Sequence, residues 1–272
     1  MTMTGSLVVT DLRVEFDGFV AVGGVSFDAD PGEVRFLIGP NGAGKTTCID
    51  AITGLSKGSG SVKLGDHELL GTSVNKIVRL GVGRTFQTAS VFEQLSVLQN
   101  LDIAAGLHRS SLSLLRARRG IDPAIESTLE ETGLSTERET PAGILSHGQK
   151  QWLEIGMMLV QEPRALLLDE PVAGMSQDER TATGELLQRI AQRRIVVVVE
   201  HDMDFMRRYA SRVTVLHQGK VLSEGAVAQV QADPKVQEVY LGTAGAATTA
   251  AMLVVPEATT AVTDAATQEE VA

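Results

Sequence analysis

The chain has a single cysteine, Cys48, so no internal disulfide forms, and packing alone must stabilise a protein suited to a reducing compartment. Long hydrophobic runs are absent as well. The purely aliphatic stretches at 165–168 and 195–199 fall far short of the roughly 18 to 20 residues that a membrane-spanning helix needs. Residues 1–10 lack the basic flank and apolar core of a secretory signal, so a cytoplasmic location is expected. Cations are scarce: 24 Lys plus Arg face 34 Asp plus Glu, giving a formal charge of -10. A nucleic-acid partner is therefore not expected, because binding along a phosphate backbone rests on clustered cations. No internal repeat is visible.

What is present suffices for one large domain or two modest ones with a real core, since 43% of the 272 residues are hydrophobic. Residues 7–16 and 24–29 alternate apolar and polar positions, as half-buried strands do, so an antiparallel entry sheet is expected. Residues 34–38 form a short apolar run that breaks into a glycine-rich stretch, and the runs at 166–168 and 195–199 are continuous, the pattern of parallel strands covered on both faces. The polar, helix-prone stretch 177–192 separates the last two, giving strand, helix, strand and an α/β core. Residues 94–161 read as an inserted helical subdomain, interrupted near 120–123 and 133–141. Within it, Arg109, Arg116, Arg118 and Arg119 form a basic cluster, read as a solvated helix face ahead of a partner or lipid contact. Residues 243–272 hold four acids and no Lys or Arg, and read as a disordered tail, with 250–255 as the rival docking segment.

Chemistry enters with Gly39-Pro40-Asn41-Gly42-Ala43-Gly44-Lys45-Thr46, followed by Thr47, which fits the phosphate-binding pattern G-x-x-x-x-G-K-T between an expected strand and an expected helix. Its glycines let backbone N–H groups face phosphates at a helix N-terminus, where the dipole favours negative charge. Lys45 is expected at the β- and γ-phosphates and Thr46 on Mg²⁺. Asp169-Glu170 ends a buried strand at the sheet edge where α/β ligands bind. There Asp169 would orient the Mg²⁺ shell and Glu170 would polarise the attacking water. His201, at the end of the next apolar run, is placed to hydrogen-bond the γ-phosphate or that water. Gln87 can ligate Mg²⁺ or water through an uncharged amide. Leu145-Ser146-His147-Gly148-Gln149 precedes another helix and offers a second anion site, or simply an N-cap. Cys48, early in the helix after Lys45, reads as a small buried hydrophobe rather than an acidified thiol.

With these motifs in this order, residues 6–242 resemble the ATP-binding subunits of ABC transporters. The matching positions are Phe16, 39–46, Gln87, 145–149, Asp169-Glu170, 173–176 and His201. The resemblance implies a P-loop fold with an antiparallel β subdomain and an inserted helical one. It implies that Phe16 stacks on adenine, and that Ser146, His147, Gly148 and Gln149 close on a γ-phosphate held by a second subunit. His147 replaces the first glycine of the signature, and Ser176 stands where the family usually has Asp. Residues 84–87, 200–203 and 238–242 look like the branched-chain amino-acid and urea importer branch, and 145–154 with 169–175 are more similar to its urea-type members. The implied function is an ATPase driving uptake of urea or a short amide, with a branched-chain amino-acid importer as the alternative. Implied partners are integral-membrane permeases, a second, different ATPase subunit and, indirectly, a solute-binding protein. The implied location is peripheral, on the cytoplasmic face of the membrane. A soluble ABC-type ATPase acting on DNA or ribosomes, and a P-loop kinase or switch, are the rival readings.

Overall fold

A computed structural model of the chain describes residues 5–85, 90–106 and 120–243. Strands β1 (Leu7–Phe16) and β2 (Phe19–Ala29) form an antiparallel hairpin. Asp17 and Gly18 close it with positive φ values of 47° and 86°, the backbone that an Asp-Gly two-residue turn supplies. The hairpin carries β2 further toward its N-terminus than the expected start at Gly24. Strands β4 (Ser59–Leu64) and β5 (His67–Glu68) join it in a four-stranded sheet of order β2-β1-β4-β5. The expected entry sheet thus has twice the strands that alternation alone revealed.

The second sheet contains β3 (Val34–Ile38), β6 (Val82–Arg84), β7 (Ala165–Asp169), β8 (Ile195–Val199), β9 (Arg212–His217) and β10 (Lys220–Gly225), in the order β10-β9-β3-β8-β7-β6. All its pairings are parallel except that of the edge strand β10 with β9. Strands β3, β7 and β8 are buried along their whole length, which is why 166–168 in β7 and 195–199 in β8 read as continuous apolar runs. Each fully buried Val or Leu there contributes about 1.5–3 kcal/mol. Arg35 interrupts the run in β3 and is nevertheless fully buried. Its guanidinium donates to Thr214 Oγ1 at 2.8 Å and to Glu224 at 2.9 Å, so the buried charge is paired and hydrogen-bonded.

Helix α1 (Lys45–Ile52) lies between the two sheets, and Cys48, Ile49 and Ile52 join the core that both sheets share. Helix α2 (Val74–Arg79) precedes β6. Between β6 and β7 come α3 (Val97–Ala105), α4 (Pro123–Thr132) and α5 (His147–Leu159). These three pack on a separate core that includes Leu101, Ile125, Leu129, Leu145 and Leu153. Trp152 on α5 donates its indole N–H to Thr183 at 2.8 Å and ties this lobe to α6 (Gln177–Ala191). Helices α7 (Met203–Tyr209), α8 (Val227–Ala232) and α9 (Pro234–Thr243) complete the chain. Thr243, the first residue of the expected tail, is the last residue of α9; residues 244–272 and the four arginines at 109–119 lie outside the described residues.

Candidate active site

β3 delivers the chain into the glycine-rich turn. At Gly39, φ is 153°, and a Cβ there would lie 2.2 Å from the Leu216 carbonyl oxygen, so close backbone approach demands glycine. Gly44 caps α1 in the left-handed conformation and brings no side chain to its first N–H groups. An anion can therefore occupy that helix end. Lys45 is buried and folds back on the loop, donating to the carbonyls of Gly39 at 2.8 Å and Pro40 at 3.1 Å. Burial lowers its pKa, while Glu170 and Asp169 push it back up. Thr46, next along, is exposed.

The carboxylates come from the parallel edge beside this loop. Asp169 ends β7 at 2% exposure, its backbone N–H donating to Thr85 Oγ1 at 3.1 Å. Arg84 lies 3.8 Å from its carboxylate and also pairs with Asp50 on α1. Burial raises the Asp169 pKa; Arg84 opposes the shift. Glu170 adopts a left-handed φ of 49° immediately before Pro171, a conformation that side chains avoid, and its N–H is held by the Val199 carbonyl at 2.9 Å. His201 follows β8, and its Nδ1 sits 3.3 Å from Glu170 Oε1. Beneath it Glu200, 1% exposed, accepts the backbone N–H groups of His201 at 3.0 Å, Asp202 at 3.2 Å and Val172 at 3.4 Å. Burial raises the Glu200 pKa against those bonds.

One open cleft of about 560 Å³ is lined by Gly39, Pro40, Asn41, Glu170, His201 and Tyr240. The structure thus gathers the phosphate loop, the acid and the histidine in one place. Phe16 does not line it and sits at the β1–β2 turn, 48% exposed and paired across the hairpin with Phe19. Gln87 lies outside the described residues. Ser146, His147, Gly148 and Gln149 do not line the cleft. Ser146 caps α5, its hydroxyl accepting from the Gln149 N–H at 3.1 Å while Gln149 Oε1 accepts the Ser146 N–H at 3.0 Å. The same hydroxyl donates to Glu179 on α6 at 2.8 Å. His147 packs beside Gly174. Ser176, in the place usual for Asp, caps α6 in the same way as Ser146 caps α5, so the substitution keeps the helix start.

Sequence reasoning passed over several of these positions. Glu179 carried a legible signal, since Ser176 and Glu179 spell a capping box, but its reach to Ser146 is tertiary. Arg84 and Tyr240 sat inside segments used only for likeness, and neither has a local pattern that marks a site. Glu200 ended an apolar run whose backbone ligands become visible only in the fold.

A family model described as ABC transporter matches residues 22–173, and one described as Branched-chain amino acid ATP-binding cassette transporter matches residues 220–246. The chain is 35% identical over 250 residues to the high-affinity branched-chain amino acid transport ATP-binding protein LivG of Escherichia coli K12, covering 88% of this chain and 98% of that one. It is 34% identical over 250 residues to BraF of Pseudomonas aeruginosa, another high-affinity branched-chain amino acid transport ATP-binding protein, with the same 88% and 98% coverage. Among solved structures it resembles the ADP conformation of MJ1267, an ATP-binding cassette of an ABC transporter, with a TM-score of 0.76 and 30% identity over 88% of this chain and 99% of that one. Phosphate loop, edge carboxylates, histidine and these matches agree: the chain belongs to the ATP-binding subunits of ABC transporters, ATPases that drive transport.

Proposed function

We propose that this chain is the ATP-hydrolysing subunit of an importer for branched-chain amino acids. The convergence of the Gly39 loop, Glu170 and His201 on one cleft carries the catalytic part of the reading. Lys45 and the unfilled N-terminus of α1 hold the β- and γ-phosphates, Glu170 polarises the attacking water, and His201, beside Glu170, orients the γ-phosphate. Phe16 provides an exposed face for adenine. Asp169 Oδ1 is buried and accepts no hydrogen bond, which fits a hydrated cation. Asp169 and Thr46, with Gln87, would hold Mg²⁺, which neutralises phosphate charge when bound.

Ser146, His147, Gly148 and Gln149 lie outside the cleft of their own chain, which supports their acting on a nucleotide held by a second ATPase subunit. Two ATPs then join the subunits and hydrolysis releases them. Shifting such an equilibrium from 1:99 to 99:1 takes about 5.5 kcal/mol of preference. We place the unit at residues 6–242, with a helical subdomain at 94–161 that receives a permease helix near residues 90–95. Among the described residues no helix is long and apolar enough to cross a membrane, and attachment to the cytoplasmic face through the permeases follows from this reading. A second, different ATPase and a solute-binding protein complete the assembly.

For the solute, the names of LivG and BraF and the match at 220–246 favour branched-chain amino acids over the urea suggested by residues 145–154. Uptake of labelled leucine and labelled urea by cells with and without this gene separates the two. Loss of leucine uptake alone supports the proposal; loss of urea uptake alone restores the other solute.

A further inference from the structure

Glu179 stands in the first turn of α6, yet its carboxylate serves the start of α5 as well. Oε1 accepts the Ser146 hydroxyl at 2.8 Å, Oε2 accepts the Ser176 N–H and hydroxyl at 2.9 Å each, and the Gly148 N–H also faces the group and helps lower its pKa. Room for it exists because residue 148 is glycine: a Cβ there would lie 2.6 Å from Glu179 Oε1. Three serine capping boxes occur among the described residues, at Ser96, Ser146 and Ser176. The first two place an uncharged glutamine, Gln99 and Gln149, at the third helical position, and those glutamine side chains stay within their own helix. The third places an anion there and joins two helices.

The donors that Glu179 occupies, a serine hydroxyl and an N–H at the start of a thirteen-residue helix, are those a phosphate would use. A phosphate cannot share them with a carboxylate, because like charges at such separation repel and each donor serves one anion. We propose that Glu179 is an intramolecular stand-in for the neighbour's γ-phosphate, holding Ser146 and Gly148 aligned but engaged until a triphosphate from the partner subunit displaces it. This rests on the reading that the Ser146 segment acts in trans. The arrangement raises the threshold for closing the dimer and selects for a ligand with a γ-phosphate. After displacement Glu179 keeps its bonds to Ser176, so α6 remains capped. The hydrogen bonds that gather on Glu179 hold its carboxyl below the usual carboxylate range, as expected of a group occupying an anion site.

The test uses the full chain carrying Glu170→Gln, which blocks hydrolysis, and follows dimerisation by sedimentation as Mg-ATP is raised. Adding Glu179→Gln removes the charge while keeping a glutamine box of the kind seen at Gln99 and Gln149. The ATP concentration for half-maximal dimer is expected to fall about five- to tenfold, the scale of one ordinary hydrogen bond's net contribution. An unchanged or higher requirement overturns the stand-in role, since a purely structural cap would leave dimerisation unaltered or weaken it. If Glu179→Gln fails to fold, Glu179→Asp is read the same way: one methylene shorter, it cannot hold Ser146 and Ser176 together. A Glu170→Gln protein that stays monomeric throughout, both alone and with the second ATPase added, overturns the two-subunit reading and this inference with it.

Discussion

His201 Nδ1 lies 3.3 Å from Glu170 Oε1, and the contact follows from strand register. Strands β7 and β8 run parallel with Asp169 opposite Val199, so the residues that follow them leave the sheet side by side. Glu170 is fixed there by a left-handed backbone and His201 by the buried Glu200 beneath it. Two ionisable side chains lining the same cleft are thus held by the sheet itself.

Glu170→Gln is expected to lower phosphate release about 10²- to 10⁴-fold, the range for a lost general base, while ATP binding persists. His201→Ala should lower it comparably. Single-turnover phosphate release and nucleotide binding, measured together, check this; loss of binding in either variant would assign a structural role instead.

Arg84 bridges Asp50 on α1 and Asp169 on β7 from a largely buried position. Replacing it with Met removes the cation and leaves two carboxylates facing each other. The urea unfolding free energy should fall by about 2 kcal/mol, less than for a fully buried pair because Asp50 keeps some contact with solvent. An unchanged midpoint would show that the bridge adds nothing.

Cys48 is fully buried, and burial pushes its thiol up to about 12. Despite its place at the start of α1 it is packing material and not a nucleophile. A thiol reagent at pH 8 should therefore modify the native protein only through rare openings, and one equivalent should react at once in guanidinium. Immediate labelling of the native chain would contradict the packing.

The phosphate loop and strands β7 and β8 were legible because their signals are local: glycines at fixed spacing and unbroken apolar runs. The β1–β2 turn was also written, in Asp17-Gly18, although alternation fades at Phe19 and Val20, which are exposed. Arg35 and Thr214 could not be read that way. Each is a polar residue in a buried strand, and each finds a hydrogen-bond partner in the other from far along the chain. The Ser146–Glu179 contact is hidden for the same reason. The preference for urea drew on residues 145–154 with 169–175, segments whose proposed role is with nucleotide rather than solute, and so carried little information about cargo.

Glu179 titrates below its ordinary value of 4.5 when folded. A lowered carboxylate contributes stability that is present above about pH 4.5 and lost as pH falls through the folded value. The difference in unfolding midpoint between the wild type and Glu179→Gln should therefore hold steady from about pH 5 to 8 and close below pH 4.5. A difference that persists at pH 3 would mean that charge is not the source.

Sedimentation of the Glu170→Gln chain with saturating Mg-ATP tests the central claim most directly. The account predicts a dimer holding two ATP molecules, formed with a second copy or with the second ATPase added, that reverts to monomers when ADP replaces ATP; a chain that remains monomeric at saturation both alone and with that second ATPase would contradict it.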